Sequence, residues 1–535
     1  MEPRIVVENR EELIYLMSEA SEIEHMLMLE YLFAALSLKT DASEGLTEEQ
    51  LEAAKRWEGL ILEVATQEML HLALWGNLLT AIGGAPHFAR PNFPQPLNYY
   101  PPGFQLALLP FSEQTLGNFV FNERPEGMEY DAPELELARE AMPPLLTDAV
   151  VPYEPEFATQ AHLYRAIERG FERLIEKYGE RRVFIGPPEA QATQRYFWWP
   201  ELVPVTDLTS AQAAIDTIVE QGEGARGDRH EAHFGKFLRV LAEYLEFKER
   251  DPSFEPARPV MAAWVRPPGG TSPSDPTLIT DPTTAGVADL FNAAYEVMLQ
   301  MLVRFFAHTE ETEEELQTLS RTAVGAMSLL IKPLGQLLTT LPVGAAFPGK
   351  TAGPNFEFYR TDYLLPHRHS AWVLIHERLL ELADYCARLS ARPGAPTELA
   401  AIGKSFRKLA SGMEQHIGLH DGSASEDARM PTDTFTAVLE ESELRGDVMR
   451  SVEVDGVPVM LSRSESGEVC AIAETCAHMG APLAGGQREG NVVTCPWHGS
   501  QFDLCSGEVL RGPASTPQQR FEAHVRDGWV MVRPA

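Results

Sequence analysis

Two Cys/His pairs near the end of the chain, Cys476-Ala477-His478 and Cys495-Pro496-Trp497-His498, limit what the C-terminal region can become. Each pair runs into a glycine-containing turn, so two loops must face one another around a shared ion or cluster. Four of the five cysteines (Cys470, Cys476, Cys495 and Cys505) crowd into this stretch. Five cysteines in 535 residues do not make a disulfide framework, and their crowding points to a metal centre. Two chemistries compete for the ligand set. Two thiolates with two imidazoles also describe structural zinc, but the one-residue gap of Cys476-x-His478 is atypical of zinc spacings. In a [2Fe–2S] cluster the thiolates suit one iron and the neutral imidazoles the other, which raises the potential far above that of an all-cysteine cluster. Cys470 and Cys505 read as small core residues without a ligand role. Short apolar runs at 452–454, 457–461 and 492–494 alternate with glycine turns, the pattern of a small all-β domain over 433–535. The polar residues 421–432 read as the linker before it.

Upstream the periodicity is helical. Apolar positions recur at helix spacing over residues 11–38 (Leu13, Leu16, Met17, Ala20, Ile23, Leu27, Tyr31) and again over 48–82, where Gly83-Gly84 and Pro86 stop the pattern. Residues 85–205 break into proline-punctuated pieces such as Phe93-Pro94-Gln95-Pro96, with one helix expected at 157–178. This stretch reads as a long insertion, too aromatic to be disordered. Helical spacing returns at 210–221 and 229–249, two antiparallel neighbours joined by a glycine turn. They close a first region, 1–265. A proline-rich connector, Arg266-Pro267-Pro268-Gly269-Gly270 through Pro282, leads to a second helical region at 283–420, with helices at 285–308, 312–340, 367–391 and 397–416.

The first region carries its own metal-ligand pattern. Glu68-Met69-Leu70-His71 sets a carboxylate and an imidazole at i and i+3 on one face of an otherwise apolar helix. Such pairs occur by chance on solvated helices, but Val64, Ala65, Leu72, Leu74 and Trp75 surround this one, and a buried charge needs a partner or a metal. The preceding helix offers Glu24 and Glu30. The later pair offers Glu220 and Glu223 before the glycine turn, with His230 and His233 after it. If Glu24, Glu68, His71, Glu220, Glu223 and His233 all point inward, four carboxylates and two imidazoles meet, the inventory of a di-iron carboxylate bundle. Residue 230 is His where a second Glu-x-x-His would need Glu, so one non-haem iron or two both stay open. His25 flanks this site, and His416 with His420 is explained by an amphipathic surface.

The run from Cys476 through Pro513, with Pro482, Gly485-Gly486, Trp497-His498-Gly499 and Phe502-Asp503, resembles a Rieske domain. That resemblance implies Cys476, His478, Cys495 and His498 as cluster ligands. Ala481 and Trp497 stand where respiratory Rieske proteins carry a disulfide, so the likeness is to soluble ferredoxins and oxygenase Rieske domains. Glu24-His25, Tyr31-Leu32-Phe33-Ala34-Ala35, Glu68-Met69-Leu70-His71-Leu72, the 77–84 segment, Gln221-Gly222-Glu223-Gly224 and His233-Phe234 resemble the ferritin-like family of iminophenyl-pyruvate dimer synthases. The likeness continues through 344–356. It implies Glu24 as the helix-1 ligand, leaving Glu30 either as a group behind the metal ligands or as a catalytic acid/base group. The expected architecture is therefore multidomain and mainly α: a ferritin-like four-helix bundle with a long insertion and additional helices, then a small all-β Rieske domain.

Acidic residues outnumber basic ones by 78 to 44, a formal charge of −34, which disfavours nucleic acid and anionic membrane as partners. No apolar run is long enough to span a bilayer and no signal peptide opens the chain, so a cytoplasmic location is expected. The two centres together suggest an oxidoreductase: the Rieske cluster, recharged by an external reductase or ferredoxin, supplies electrons to bundle iron. That iron activates dioxygen to oxidise a small amino-acid-derived or aromatic molecule. Rival readings are an oxidative imino-acid dimer synthase, an electron carrier with a metal-free helical scaffold, and an iron oxidase or store. Association into a homo-oligomer stays open.

Overall fold

A computed structural model describes every residue except 1–4, 94–105, 126–127, 129–134, 142–158, 225–228, 263–278, 359–366, 418–434, 447, 455–456, 478–480, 498, 513, 515 and 535. The chain divides into two units, Met1–Gly418 and Leu419–Ala535. The expected linker 421–432, most of the proline-rich connector and His420 lie outside the described residues.

In the first unit, helix α1 (Arg10–Ser37) starts where the Asn9 side chain accepts the Glu12 N–H, and α2 (Glu48–Ala81) starts on a capping box between Thr47 and Gln50. Helix α1 is buried on nearly every side from Leu13 to Ser37, as suits the central helix of a bundle. Within the expected insertion stand α3 (Glu113–Asn122), α4 (Glu136–Ala141), α5 (Gln160–Tyr178) and α6 (Glu180–Val183). Of these only α5 is legible as periodicity. Helix α3 is held by its Ser112 cap and by Leu116, Phe119 and Val120, all buried. Helix α7 (Leu208–Glu223) ends on Gly224, whose φ of 64° is the left-handed conformation that releases a chain from a helix, and α8 (His233–Arg250) follows.

The remaining helices are α9 (Pro282–Phe306), α10 (Glu313–Ala326), α11 (Lys332–Leu338), α12 (Arg368–Ser390) and α13 (Glu398–Ile417), with a π-helical turn, Met327–Ile331, joining α10 to α11. One apolar core runs without a break from Val7 to Ile417, so these helices complete the same unit as α1 to α8. The backbone after α11 presses directly on α1: a Cβ on Gly353 would stand 2.5 Å from the Phe33 ring.

Among the described residues the second unit has ten strands: β1 (Thr436–Glu440), β2 (Arg450–Val454), β3 (Val457–Arg463), β4 (Val469–Ala473), β5 (Gln487–Glu489), β6 (Val492–Thr494), β7 (Gln501–Asp503), β8 (Val509–Arg511), β9 (Arg520–Arg526) and β10 (Trp529–Pro534). They form two antiparallel sheets, ordered β1-β10-β9-β4-β3-β2 and β5-β6-β7-β8. Met460 pairs with Ile472 in the first, Val493 with Phe502 in the second. Asp527 and Gly528 both take positive φ (54° and 82°), the two-residue turn that matches strand twist in a tight hairpin.

Cys470 on β4 and Cys505 just beyond β7 are joined by a disulfide rather than standing as separate core thiols. They lie 35 residues apart in sequence, and only the facing of the two sheets across a shared apolar cluster brings them together.

Candidate functional site

Five helices converge inside the first unit. Helix α1 contributes Glu24, α2 contributes Glu68 and His71 from one face, Glu123 caps the C-terminal end of α3, α7 ends on Glu223, and α8 begins on His233. All six are buried. His71 Nδ1 lies 2.9 Å from Glu68 Oε2 and 3.4 Å from Glu24 Oε2. His233 Nδ1 lies 3.0 Å from Glu68 Oε1 and 3.6 Å from Glu123 Oε2. Two overlapping triads result, Glu24/Glu68/His71 and Glu68/Glu123/His233, each with its ligand atoms within 4.8 Å of one another. Glu68 belongs to both and turns one oxygen to each histidine, the disposition of a carboxylate that bridges two ions. A cavity of about 10 Å³, the size of one water, lies against Glu24, Glu68, His71, Glu123, Tyr164 and Glu223.

The electrostatics explain why such a cluster can exist. Burial pushes Glu24 up to about 8, and the neighbouring Glu68 adds to the effect. Burial also pushes Glu68 up, but His233 and His71 outweigh it and hold this carboxyl well below the usual range. The histidines show the converse: burial lowers each, and the Glu68 charge overrides it, raising His71 well above its ordinary value and His233 above it. Burial, then Glu68, raises Glu123. Without metal, Glu68 is thus an anion between two protonating imidazoles, flanked by carboxyls that favour the neutral form. Protons occupy the places that cations can take.

The site also fits metal by what it leaves unsatisfied. Glu24 Oε2 and His233 Nδ1 are buried and make no hydrogen bond, and each belongs to one triad. A cation in each triad would satisfy both atoms, and carboxylates with imidazoles are the donor set for non-haem iron. The outer atoms are held in turn. Trp75 Nε1 donates to Glu24 Oε1 at 3.5 Å, the Tyr31 hydroxyl donates to Glu123 Oε1, and Glu223 Oε1 accepts the Ala161 N–H at 3.1 Å.

The structure therefore gathers Glu24, Glu68, His71, Glu223 and His233 from the expected set. It does not gather Glu220, which is half-buried on α7 and in neither triad. Glu30 is buried but turned elsewhere, its carboxylate accepting the Ala107 N–H and, at 3.5 Å, the Asn122 amide; burial pushes its pKa well up. His230 is exposed against Glu231 and Arg239. His25 turns to the Phe88 carbonyl and the Tyr295 hydroxyl, and His416 to Thr318. Glu123 went unseen in sequence, because it lies in a short helical piece between Pro110 and Pro125. Its one visible signal is the apolar run Phe119-Val120-Phe121 just before it.

In the second unit Cys476 and Cys495 are buried in one apolar cluster. Each opens a short loop closed by its own backbone: Cys476 N–H donates to Ala481 O and Cys495 N–H to Ser500 O, both at 2.8 Å. His478 and His498 lie outside the described residues. Two matched loops with a thiol at the same position of each are the framework on which a cluster is hung.

One unit thus has a bundle interior rich in carboxylates and imidazoles, and the other has paired cysteine loops of the kind that carry an iron–sulfur cluster. Residues 17–242 match the Ferritin-like family, and residues 434–522 match the Rieske [2Fe-2S] domain, the family to which this C-terminal region belongs. It is 29% identical over 420 residues, 71% of its length, to dichlorochromopyrrolate synthase of Lentzea aerocolonigenes. It is 28% identical over 381 residues, 65% of its length, to 2-imino-3-(indol-3-yl)propanoate dimerase of Chromobacterium violaceum. The chain spans only 39% and 34% of those relatives' own lengths. Over 87 residues, 16% of the chain, it is 33% identical to ferredoxin CarAc of Metapseudomonas resinovorans, covering 80% of that protein. Among the described residues no helix is long and apolar enough to cross a membrane.

Proposed function

We propose that the chain is an oxidoreductase in which the Rieske cluster passes electrons to a di-iron site in the bundle, and that this site uses dioxygen to oxidise a small aromatic, amino-acid-derived molecule. The observation that carries the reading is Glu68, one buried carboxylate shared by two ligand triads. Glu24 and His71 would complete one iron position, Glu123 and His233 the other, and Glu223 faces the cavity between them. Iron held there would supply the electrons that dioxygen needs, a chemistry no protein side chain offers. The residues around it bind, exclude water through the apolar packing of Trp75, Tyr164 and Ile218, and hold protons on the carboxyls nearest the metal.

For an oxygenation the balance is RH + O₂ + 2e⁻ + 2H⁺ giving ROH + H₂O. A Rieske cluster carries one electron at a time, so each turnover needs two reductions by an external reductase or ferredoxin. The names of the two longer relatives supply the substrate class, and they favour a second reading, oxidative coupling of two imino acids, in which the Rieske unit resets the metal. An iron and sulfide count comes first: about four irons and two labile sulfides per chain support the enzyme, and about two irons leave only a carrier. Reduced protein is then exposed to ¹⁸O₂ with aromatic amino and imino acids. Label in a monomeric product supports oxygenation, and an unlabelled dimer supports coupling.

A further inference from the structure

The second ring nitrogens of the two bundle histidines point away from the carboxylates, and each meets a glutamine. His233 Nε2 lies 3.1 Å from Gln67 Oε1, and His71 Nε2 lies 3.0 Å from Gln221 Oε1. A glutamine amide can ordinarily present either its oxygen or its NH₂, and so can favour either tautomer of a histidine. At Gln67 that freedom is removed. Lys236, on the first turn of α8 and itself buried, reaches Gln67 Oε1 with Nζ at 3.2 Å and Glu63 Oε1 at 2.7 Å. An ammonium only donates, so the atom it faces must be the carbonyl oxygen. That oxygen can only accept from His233 Nε2, which must therefore carry the proton. The lone pair of the neutral ring is left on Nδ1, the atom that faces Glu68 and Glu123.

We propose that Gln67, held oxygen-first by Lys236, is the positioning residue that commits His233 to binding metal through Nδ1, and that Lys236 acts only by fixing the amide. The inference rests on the metal-binding reading of the bundle, and nothing else in the chain duplicates it for His233 among the described residues. It makes a distinction that packing alone does not. A carboxylate at position 67 presents an oxygen whichever way it turns, so in a Gln67→Glu chain the lock is redundant.

The test is Mn(II) binding to the full chain with its Rieske cluster oxidised and the bundle iron chelated away, read as loss of the free Mn(II) resonance. Mn(II) is the weakest binder of its series, which keeps both steps measurable. The unmodified protein is expected to take up about two ions. Gln67→Leu should weaken one step about 10- to 100-fold, and Gln67→Glu should restore it. Lys236→Met should weaken the same step in the Gln67 background and leave it unchanged in the Gln67→Glu background. An equal effect of Lys236→Met in both backgrounds would overturn the lock, as would a Gln67→Leu chain that binds both ions normally. Absence of Mn(II) uptake by the unmodified chain would overturn the metal-binding reading itself, and the inference with it.

Discussion

Replacing Glu68 by alanine is the sharpest perturbation of the proposed centre, because this one side chain serves both triads. Its oxygens lie 2.9 and 3.0 Å from Nδ1 of His71 and His233, so the substitution removes one of three ligands from each group at a stroke. Iron per chain should fall from about four to about two while labile sulfide stays at about two, since nothing in the second unit is touched. The metal-free protein should also suffer. Breaking a buried charge pair costs roughly 3–5 kcal/mol when the abandoned charge must stay. Here both imidazoles can shed the protons that Glu68 holds on them, so the loss should sit at or below the lower end of that range. Iron by mass spectrometry, sulfide by colorimetry and paramagnetic resonance of the reduced cluster give the three readouts, with Glu68→Asp as the variant that keeps charge and fold. A chain that retained about four irons after Glu68→Ala would refute the shared-carboxylate arrangement. Iron and sulfide falling together would refute the independence of the two centres.

Glu123→Gln should lower bundle iron and Glu220→Gln should not, measured on the same preparations; the opposite ranking would return Glu220 to the site. Metal loading at pH 7 should release protons, because Glu24 at about 8 and the raised His71 and His233 hold them in the metal-free state. The apparent affinity should therefore rise with pH as Glu24, at about 8, and the two raised histidines lose their protons, and calorimetry in two buffers of different ionisation enthalpy should show the release; equal heats in both would contradict it. Cys505→Ser should cost the second unit about 4 kcal/mol, from the chain-entropy value for a 35-residue closure, and leave the Rieske signal in place. Loss of the signal in a folded chain would make Cys505 more than a cross-link.

What could be read from the sequence follows from how many turns each element has to display its pattern. Helices α1 and α2 run for 28 and 34 residues, so their apolar repeat and the Glu68/His71 pair stand out, and the pairing of Cys476 with Cys495 is written in the spacing itself. Helix α3 has ten residues between prolines, too few turns for a period to be told from a strand or a loop, and Glu123 was hidden with it. Glu220 and Glu223 share a face at i and i+3, so face alone could not choose between them. The choice was made by depth, Glu223 being buried beside Gly222 at the end of α7 where Glu220 is only half-buried. The Cys470–Cys505 bond depended on the meeting of two sheets, which no local pattern encodes.

Glu30 shows how burial can mark a residue as important without saying where it acts. A carboxylate among Met26, Leu27, Leu29 and Phe33 must have a purpose, since burying it unpaired is costly. But Glu24 and Glu30 are six residues apart, about 600° of helical rotation and hence roughly 120° apart around α1, so they leave the helix on different faces. On a helix buried on all sides, burial says that a charge is used and says nothing about where. Glu30 is used on a neighbouring face: it takes the Ala107 N–H and reaches Asn122, the residue next to Glu123. Its carboxylate ties both ends of the 107–122 segment to the central helix, and that segment delivers Glu123 to His233. Of the two roles expected for Glu30, these contacts favour the one behind the metal ligands, as the anchor that brings Glu123 to the site.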